Sequence, residues 1–325
     1  YNYNYHDNPY FTSYENTNGQ GKARLLGNVS ATYKFTDNIS LMLRTGTDFY
    51  NELRDRRRAF STQRFPNGMY REDDIFFNER NSDFLLSYSK NDIGNWSVNV
   101  SLGGNQMKQI QEYQSTVAPQ LLIPELYNFS NTAVQLQIEE NNTEKRINSL
   151  YGYTQLGYKN MIFLDLTGRN DWSSTLPVDN NSYFYPSATL SAVISDMTTL
   201  PEVLDFAKIR VAYAEVGNDT DPYSLVNVYN SATAFGGNQA KSESSTLKNA
   251  ELKPERTTSY ELGADLRFFG GRFGVDFTYY LNKTRDQILP ISLDQSTGYT
   301  AKIINAGEIE NKGIEIMVNA EPIKF

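Results

Sequence analysis

The amino-acid sequence predicts an all-β fold, namely an antiparallel up-and-down transmembrane β-barrel. Three observations support this prediction. Apolar and polar residues alternate over runs roughly twice as long as a typical globular strand. The connections between these runs are alternately short and long, as in outer-membrane barrels. The 325 residues include 23 tyrosines and 18 phenylalanines, which suit strands at a boundary between lipid and water.

The clearest pair of predicted strands lies between residues 252 and 281. The first strand follows Lys253-Pro254, and its apolar face is Tyr260, Leu262, Ala264, Leu266 and Phe268. Its polar face is Ser259, Glu261, Gly263, Asp265 and Arg267. A turn at residues 269–271 precedes the second strand, whose apolar face is Phe273, Val275, Phe277, Tyr279 and Leu281. A spanning strand needs about ten tilted residues, so these lengths suit a bilayer, and we expect the apolar faces to contact lipid.

The other strands are predicted from the same alternation, which gives about eleven strands in all. In chain order they cover residues 25–35, 39–49, 84–88, 96–102, 147–158, 161–169, 185–194, 208–216 and 313–320. Short turns are expected at residues 36–38, 91–95 and 159–160. Long polar connections are expected at residues 51–80, 106–145, 217–252 and 285–303. Residues 1–21 are predicted to be loop.

The segment 195–205 is predicted to contain one helical turn, because its apolar residues have helical spacing. These residues are Leu200, Val203 and Leu204, followed by Phe206. By the outer-membrane pattern, the long connections would lie outside the cell and the short turns in the periplasm. A soluble β-sandwich or jelly roll is the alternative fold, because its strands alternate as well.

The amino-acid composition argues against several classes of function. The net charge of -8 argues against a nucleic-acid-binding surface, which is basic. The absence of cysteine excludes disulfides and thiolate metal sites. The single histidine, His6, has no set of partners for a catalytic triad or a poly-histidine metal site. We therefore predict no enzyme activity, no catalytic residues, no cofactor and no metal site. Residues 217–221, which are rich in Asn and Asp, are interpreted as a turn in preference to a calcium loop.

Five motifs occur in a fixed order along the chain. They are Gly168–Pro177 (GRNDWSSTLP), Tyr183–Ala188 (YFYPSA), Lys208–Tyr213 with Gly217-Asn218, Leu252–Glu255 (LKPE) with Glu261-Leu262-Gly263, and Asn305–Gly307 with Asn311–Glu315. Each motif alone is weak evidence. Together, in this order and at barrel spacing, they resemble the SusC/RagA branch of TonB-dependent outer-membrane transporters. The resemblance covers residues 24–325.

The resemblance implies that residues 1–325 form part of one β-barrel domain of a TonB-dependent transporter. Barrels of this class have about twenty-two strands. The plug domain and the closing strands are expected to be absent from this chain. Phe325 has the place of a terminal aromatic residue, but Pro322 cannot donate to a strand ladder, so a truncated barrel is expected.

The same resemblance implies a function, a location and partners. The expected function is active import of a nutrient across the bacterial outer membrane, with a glycan oligomer as the first choice of cargo and a peptide as the second. The expected partners are a SusD-like surface lipoprotein, outer-membrane lipid and the TonB-ExbB-ExbD complex, which acts through a more N-terminal part. A multi-pass barrel in the outer membrane follows. The alternatives are a barrel that displays adhesive loops and a siderophore receptor.

Two groups of residues are candidates for ligand contact near the mouth of the barrel. The candidates are Arg169, Asp171, Trp172 and Tyr183, and Tyr70, Phe76 and Phe77. Aromatic faces pack on sugar rings or peptide side chains, while charged groups fix orientation. The alternative for residues 169–172 is a rim motif that ends a strand and anchors a loop. The arginines of residues 54–58 would bind an anionic ligand or, beside acidic neighbours, form a solvated run of charges.

Overall fold

The computed structural model describes residues 6–236 and 238–321. Within them the strands are β1 (Asn18–Lys34), β2 (Ile39–Thr62), β3 (Phe65–Ile93), β4 (Trp96–Ala118), β5 (Gln137–Tyr158), β6 (Ile162–Ser173), β7 (Ser182–Val193), β8 (Leu204–Asn218), β9 (Tyr229–Phe235), β10 (Asn238–Glu243), β11 (Thr246–Leu247), β12 (Glu255–Phe268), β13 (Phe273–Arg285), β14 (Ile288–Ser292), β15 (Ala301–Asn305) and β16 (Glu308–Ala320). The α-helices are α1 (Pro9–Glu15) and α2 (Ile194–Met197). In this described part, no helix combines the length and apolarity needed to cross a membrane.

Eleven strands form the main sheet, in the order β1-β2-β3-β4-β5-β6-β7-β8-β12-β13-β16. Each strand from β1 to β8 therefore pairs with its neighbour in sequence, and β5 to β8 and β12, β13 and β16 pair antiparallel. This confirms the predicted all-β, antiparallel fold with about eleven principal strands. The remaining strands form two small sheets, β10-β9 and β11-β15-β14, inside the connections.

The register of β12 explains how one face of this part of the sheet becomes apolar. Leu262 lies beside Val211 of β8 and Tyr279 of β13. One residue along, Gly263 lies beside Arg210. Because side chains alternate between faces, residues of one kind align across neighbouring strands. Leu262 is 52% exposed, so the apolar face is uncovered within this chain.

Two of the predicted short turns are confirmed by their backbone geometry. Lys159 and Asn160 both have positive φ, 51° and 58°, which is the requirement of a type I′ hairpin turn. Tyr158 and Ile162 close this hairpin as the last cross-strand pair. Phe269, Gly270 and Gly271 also have positive φ, so the turn between β12 and β13 falls where the sequence predicts it.

The predicted connection at residues 51–80 is wrong, and the one predicted at 106–145 is shorter than expected, covering residues 119–136. Strands β2 and β3 continue for 24 and 29 residues, and only residues 63–64 separate them. Likewise β4 runs to Ala118 and β5 begins at Gln137. These extended segments carry charged residues that form ion pairs, such as Glu52 with Arg54 and Asp73 with Arg71. The apolar alternation that signals a half-buried strand is therefore missing from them.

Three smaller predictions are also corrected. Residues 1–21 are not all loop, because α1, capped by the Asn8 side chain, precedes a β1 that already starts at Asn18. The predicted helical turn exists as α2 at the start of segment 195–205, but the apolar residues that predicted it lie after it, because Leu204 and Phe206 pair with β12 as the start of β8. The predicted loops at residues 217–252 and 285–303 contain β9 to β11 and β14 to β15.

The described chain divides into two compact units. The first contains residues 6–29, Thr45–Asn81 and Met107–Lys145, and its core is Tyr70, Ala118 and Leu121. The second contains Ser30–Arg44, Ser82–Gln106 and residues 146–236 and 238–321, and its core is Leu176, Tyr183 and Leu252. Pro322 and Phe325, which bear on the prediction of a truncated barrel, lie outside the described residues.

Candidate functional site

In the second unit, strand alternation brings Arg169, Asp171 and Tyr183 together. Arg169 and Asp171 are two residues apart on β6 and therefore share a face. The register places Arg169 beside Tyr185 and Asp171 beside Tyr183 on β7. The Tyr183 and Tyr185 rings stack with centroids 6.0 Å apart and planes 23° apart. Three of the seven predicted residues thus form one cluster.

The charge of Asp171 is compensated within this cluster. Its side chain is nearly buried, at 6% exposure. Arg169 Nε donates to Asp171 Oδ1 over 2.7 Å, and the Tyr185 hydroxyl donates to Oδ2 over 2.6 Å. Arg169 Nη2 also donates to Ser149 Oγ over 2.9 Å. These bonds fix the guanidinium in place while its side chain remains 38% exposed, so Arg169 is a preoriented donor.

Tyr183 lies deeper than a ligand-contact residue. It is 6% exposed and packs with Leu176 and Leu252 in the core of the second unit. A Cβ on Gly217 would lie 2.4 Å from the Tyr183 ring, so this glycine makes room for the ring. Burial, reinforced by the charges of Asp219 and Asp171, raises the pKa of the Tyr183 hydroxyl above its ordinary value. Tyr183 is therefore a neutral support beneath the cluster.

Trp172 lies on the other face of β6. It follows Asp171 directly, so alternation places it with Leu164 and Leu166 on the apolar face. Its neighbours across the strands are Asn148 and Ser182, and it is 37% exposed. The structure therefore separates Trp172 from Arg169 and Asp171. This position is typical of an aromatic residue at a membrane interface.

The two C-terminal motifs stabilise the connections near this cluster. Leu252 is fully buried. The Asn305 amide donates to the carbonyl oxygens of Lys253 and Asp286, each over 2.8 Å, and accepts from Lys253 N over 2.9 Å. Glu255 Oε1 accepts from the backbone N–H of Ile288 over 2.7 Å. These motif residues therefore hold the ends of β12, β14 and β15 together.

In the first unit, Tyr70 is a core residue. It is 7% exposed, and its ring packs against Phe129 and Tyr127 with centroid distances of 5.1 and 6.2 Å. Its hydroxyl bonds to Glu72. Burial is the main cause that raises the pKa of Tyr70 to about 12, and the Glu72 carboxylate adds to it.

Phe76 and Phe77 have different environments. Phe77 stacks on Tyr50 with ring centroids 5.1 Å apart, and Lys22 Nζ lies 3.5 Å from the Tyr50 ring centre. Phe76 lines a cavity of about 950 Å³ within the first unit. Asp74, with Glu112, Glu140 and several amide side chains, also lines this cavity. Phe76 is therefore placed on a cavity wall, whereas Tyr70 lies in the core of this unit.

Tyr185 and Ser149 complete the Asp171 cluster, and sequence reasoning missed both. The sequence does contain a pattern that predicts the position of Tyr185. Arg169 and Asp171 are two residues apart, and so are Tyr183 and Tyr185. Pairing the two motifs across one hairpin would have predicted the contact between Tyr185 and Asp171. Ser149 comes from β5 and carries no motif, so only the register reveals it.

The fold defines a class of protein, since long antiparallel strands with one exposed apolar face are typical of an outer-membrane β-barrel wall. The family model described as "TonB dependent receptor-like, beta-barrel" matches residues 1–323. The chain therefore belongs to this family, as its motifs indicated.

Two named relatives place the chain within the family. It is 26% identical to TonB-dependent receptor P26 of Formosa agariphila over 340 aligned positions, covering 98% of this chain and 33% of that protein. It is 28% identical to TonB-dependent receptor SusC of Bacteroides thetaiotaomicron over 191 positions, covering 56% of this chain and 19% of that protein. The chain thus spans about a third of the length of the relative that it matches end to end.

Solved structures share the fold. The RagAB peptide transporter superposes with a TM-score of 0.83 at 17% identity, covering 95% of this chain and 35% of that chain. The ferric-catecholate import receptor Fiu of E. coli K12 superposes with a TM-score of 0.60 at 12% identity, covering 95% and 46%. The likeness therefore includes both a peptide transporter and a ferric-catecholate import receptor.

Proposed function

We propose that this chain forms part of the barrel wall of a TonB-dependent importer in the bacterial outer membrane. The observation that carries the proposal is the family match over residues 1–323. The exposed apolar face around Leu262 supports a lipid-facing surface. Residues 1–325 then belong to one barrel domain, and other parts of the protein supply the plug and the closing strands. Such a protein transports its ligand and performs no catalysis.

The proposed cargo is a nutrient too large for simple diffusion, with a glycan oligomer as the first choice and a peptide as the second. The relative named SusC and the solved RagAB peptide transporter support this pair of choices. The Arg169 guanidinium supports it chemically, because a fixed donor with an exposed edge suits hydroxyl and carbonyl oxygens. Phe76 and the amide side chains around the 950 Å³ cavity offer an apolar face beside hydrogen-bonding groups. We propose that Trp172 anchors the strand at the membrane interface. Contact between Trp172 and the cargo remains a prediction.

The proposed partners follow from the same relatives. A SusD-like surface lipoprotein would help to capture cargo, and the TonB-ExbB-ExbD complex would supply energy through a more N-terminal segment. The alternative cargo is a ferric siderophore, which the shared fold with the Fiu receptor supports.

The test is uptake by cells that make the full-length protein. Labelled oligosaccharides, peptides of matched size and a ferric catecholate are supplied one at a time, with TonB present or removed. We expect uptake of the oligosaccharide or the peptide, its loss without TonB, and its reduction in the Arg169→Ala variant. Uptake of the ferric catecholate alone would contradict the proposed cargo and support a ferric siderophore as the cargo instead. Uptake that persists without TonB would overturn it.

A further inference from the structure

Four arginines occur in a short segment of β2, and strand alternation divides them between two faces. Arg54, Arg56 and Arg58 are each two residues apart, so they share one face. Arg57 lies on the other face, where its Nε donates to Asp55 Oδ2 over 3.0 Å. The segment is a strand of the first unit, so the spacing of its arginines along the backbone is fixed.

The three arginines of the first face line a cavity of about 330 Å³. The other lining residues come from the start of β1 and from β2, and they are Asn18, Gly19, Gln20 and Asp55. Asp55 is the one carboxylate among them, and its Oδ2 is bonded to Arg57. Amide side chains and guanidinium groups therefore provide most of the polar lining. A cavity of this size admits a single charged group with part of the molecule that carries it.

The positive charge of this cavity is incompletely neutralised. Arg54 is paired with Glu52, Nε to Oε1 over 2.5 Å. Arg56 reaches a carboxylate at the limit of an ion pair, with 4.0 Å between its Nη2 and Asp73 Oδ2. That same Asp73 accepts a shorter bond of 2.7 Å from another arginine, Arg71. The positive charge of Arg56 is therefore only weakly compensated, and the guanidinium can pair with another anion.

Arg58 is the clearest sign that the cavity lacks a negatively charged partner. Its guanidinium donates to neutral acceptors, namely the carbonyl oxygens of Arg57 and Thr17 and the Asn18 amide oxygen, over 2.7, 3.3 and 3.1 Å. Within residues 6–236 and 238–321, no carboxylate lies within ion-pair distance of it. Burial, and next the like charge of Arg56, lowers the pKa of Arg58. A bound anion would relieve this repulsion.

We propose that the cavity between Arg56 and Arg58 binds an oxyanion group, that is, a carboxylate, sulfate or phosphate. Guanidinium groups recognise such groups through paired hydrogen bonds that an ammonium group cannot reproduce. Resting on the proposed function, the inference gives the imported oligomer one acidic group that binds in this cavity, because a neutral group there would leave the arginines uncompensated. The site lies in the first unit and shares no residue with the Arg169 cluster.

The experiment is calorimetric titration of the purified full-length protein with sodium sulfate, sodium phosphate and sodium galacturonate. Binding is measured directly, so the result is independent of whether import occurs. We expect at least one anion to bind, with affinity reduced at least tenfold in Arg58→Gln and in Arg56→Gln. Arg64→Gln is the matched control, since it removes the same charge from the exposed tip between β2 and β3, outside the cavity lining, and its affinity should stay within twofold of the wild type. Arg58→Lys, which retains charge but loses the paired donors, should fall between the two.

Three outcomes would overturn the proposal. One is the absence of binding of all three anions by the wild type. Another is an equal loss in Arg64→Gln and Arg58→Gln, which would indicate a general effect of net charge. The third is unchanged affinity in Arg56→Gln and Arg58→Gln. Circular dichroism of each variant checks folding, and Arg58→Lys decides the outcome if a glutamine variant is unfolded. If galacturonate binds and phosphate does not, the group belongs to a sugar acid; the reverse assigns it to a phosphate-bearing ligand.

Discussion

Asp171 is the residue on which the cluster of the second unit depends. It accepts hydrogen bonds from Arg169 and Tyr185 in a nearly buried position. Asp171→Ala leaves a guanidinium and a hydroxyl without their acceptor, which should lower the free energy of unfolding by about 1–3 kcal/mol. Urea unfolding of the full-length protein in lipid vesicles measures this loss. Asp179→Ala, which removes a carboxylate from an exposed turn nearby, should change stability by less than about 0.5 kcal/mol.

Tyr70 should make stability fall at high pH. Its pKa in the folded protein is about 12, whereas an exposed tyrosine in the unfolded chain titrates near its ordinary value of 10.0. The unfolded state therefore loses the proton first, and stability that is complete below pH 10 declines between pH 10 and 12. Urea midpoints measured across this range check the decline. In Tyr70→Phe the decline should be smaller, and an identical decline in both proteins would assign it to other tyrosines.

For individual residues, the sequence predicts the strand face on which a side chain lies better than it predicts what that side chain does. Residues 169–172 were identified from one motif, and alternation alone assigns Asp171 and Trp172 to opposite faces. The deep burial of Tyr183 was not predictable, because Leu252 and Gly217, which surround it, lie far away in sequence. The contact with Leu252 depends on the folding of a connection, for which no periodic pattern exists.

Among the elements, β12 carries a glycine that allows an ion pair to cross it. A Cβ at Gly263 would lie 2.4 Å from Arg210 Nε, and the guanidinium reaches Asp276 on β13 through bonds of 2.8 and 3.0 Å. Gly263→Ala should displace Arg210 and destabilise the protein by about 1 kcal/mol, a modest loss because the pair is about a third exposed.

Gly274→Ala is the matched control for this prediction, since a Cβ there would approach no atom more closely than 3.9 Å. Thermal unfolding of the two variants in detergent compares them directly. In an Arg210→Ala background the effect of Gly263→Ala should disappear. A loss that remains there would mean that backbone conformation, and not Arg210, is the cause.

The apolar face of β12 should respond strongly to charge. If Leu262 faces the middle of the bilayer, Leu262→Arg should cost about 2–4 kcal/mol. Glu261→Arg, one residue earlier on the polar face, should cost much less. Cysteine variants at the two positions, labelled with a probe confined to lipid, provide the measurement. Labelling at position 261 and not at 262 would reverse the assignment of the faces.

The elements that the sequence predicts best are those with one apolar face. Strands β12 and β13, with the turn between them, are confirmed within a few residues. The extended parts of β2 and β3 were predicted as a connection, because ion pairs such as Glu52 with Arg54 stabilise them in place of an apolar face. Charged strands of this kind have the composition of solvated loops, so a pattern of hydrophobicity cannot detect them.

For the whole molecule, strand length predicts which turns are accessible from outside the cell. Strand β2 has 24 residues, a contour length of about 80 Å at 3.3 Å per residue, well beyond a bilayer core of about 30 Å. We expect the excess, with its tip at residues 63–64, to project from the cell. A protease site inserted at 63–64 should be cut on intact cells, and one inserted at 270–271 only after the membrane is dissolved. The opposite pattern would invert the orientation.

The order of strands in the main sheet has a consequence for how the chain folds. From β1 to β8, each new strand pairs with the one made just before it, so most additions close a short loop at small entropic cost. The longest of these connections, from β4 to β5, covers residues 119–136. Two additions differ, because β12 joins β8 across residues 219–254 and β16 joins β13 across residues 286–307. Residues 219–254 contain the small sheet of β9 and β10, and the sheet β11-β15-β14 joins the two connections to each other. The strand order is therefore suited to stepwise growth at one edge, with the largest entropic costs of closure expected at these two connections.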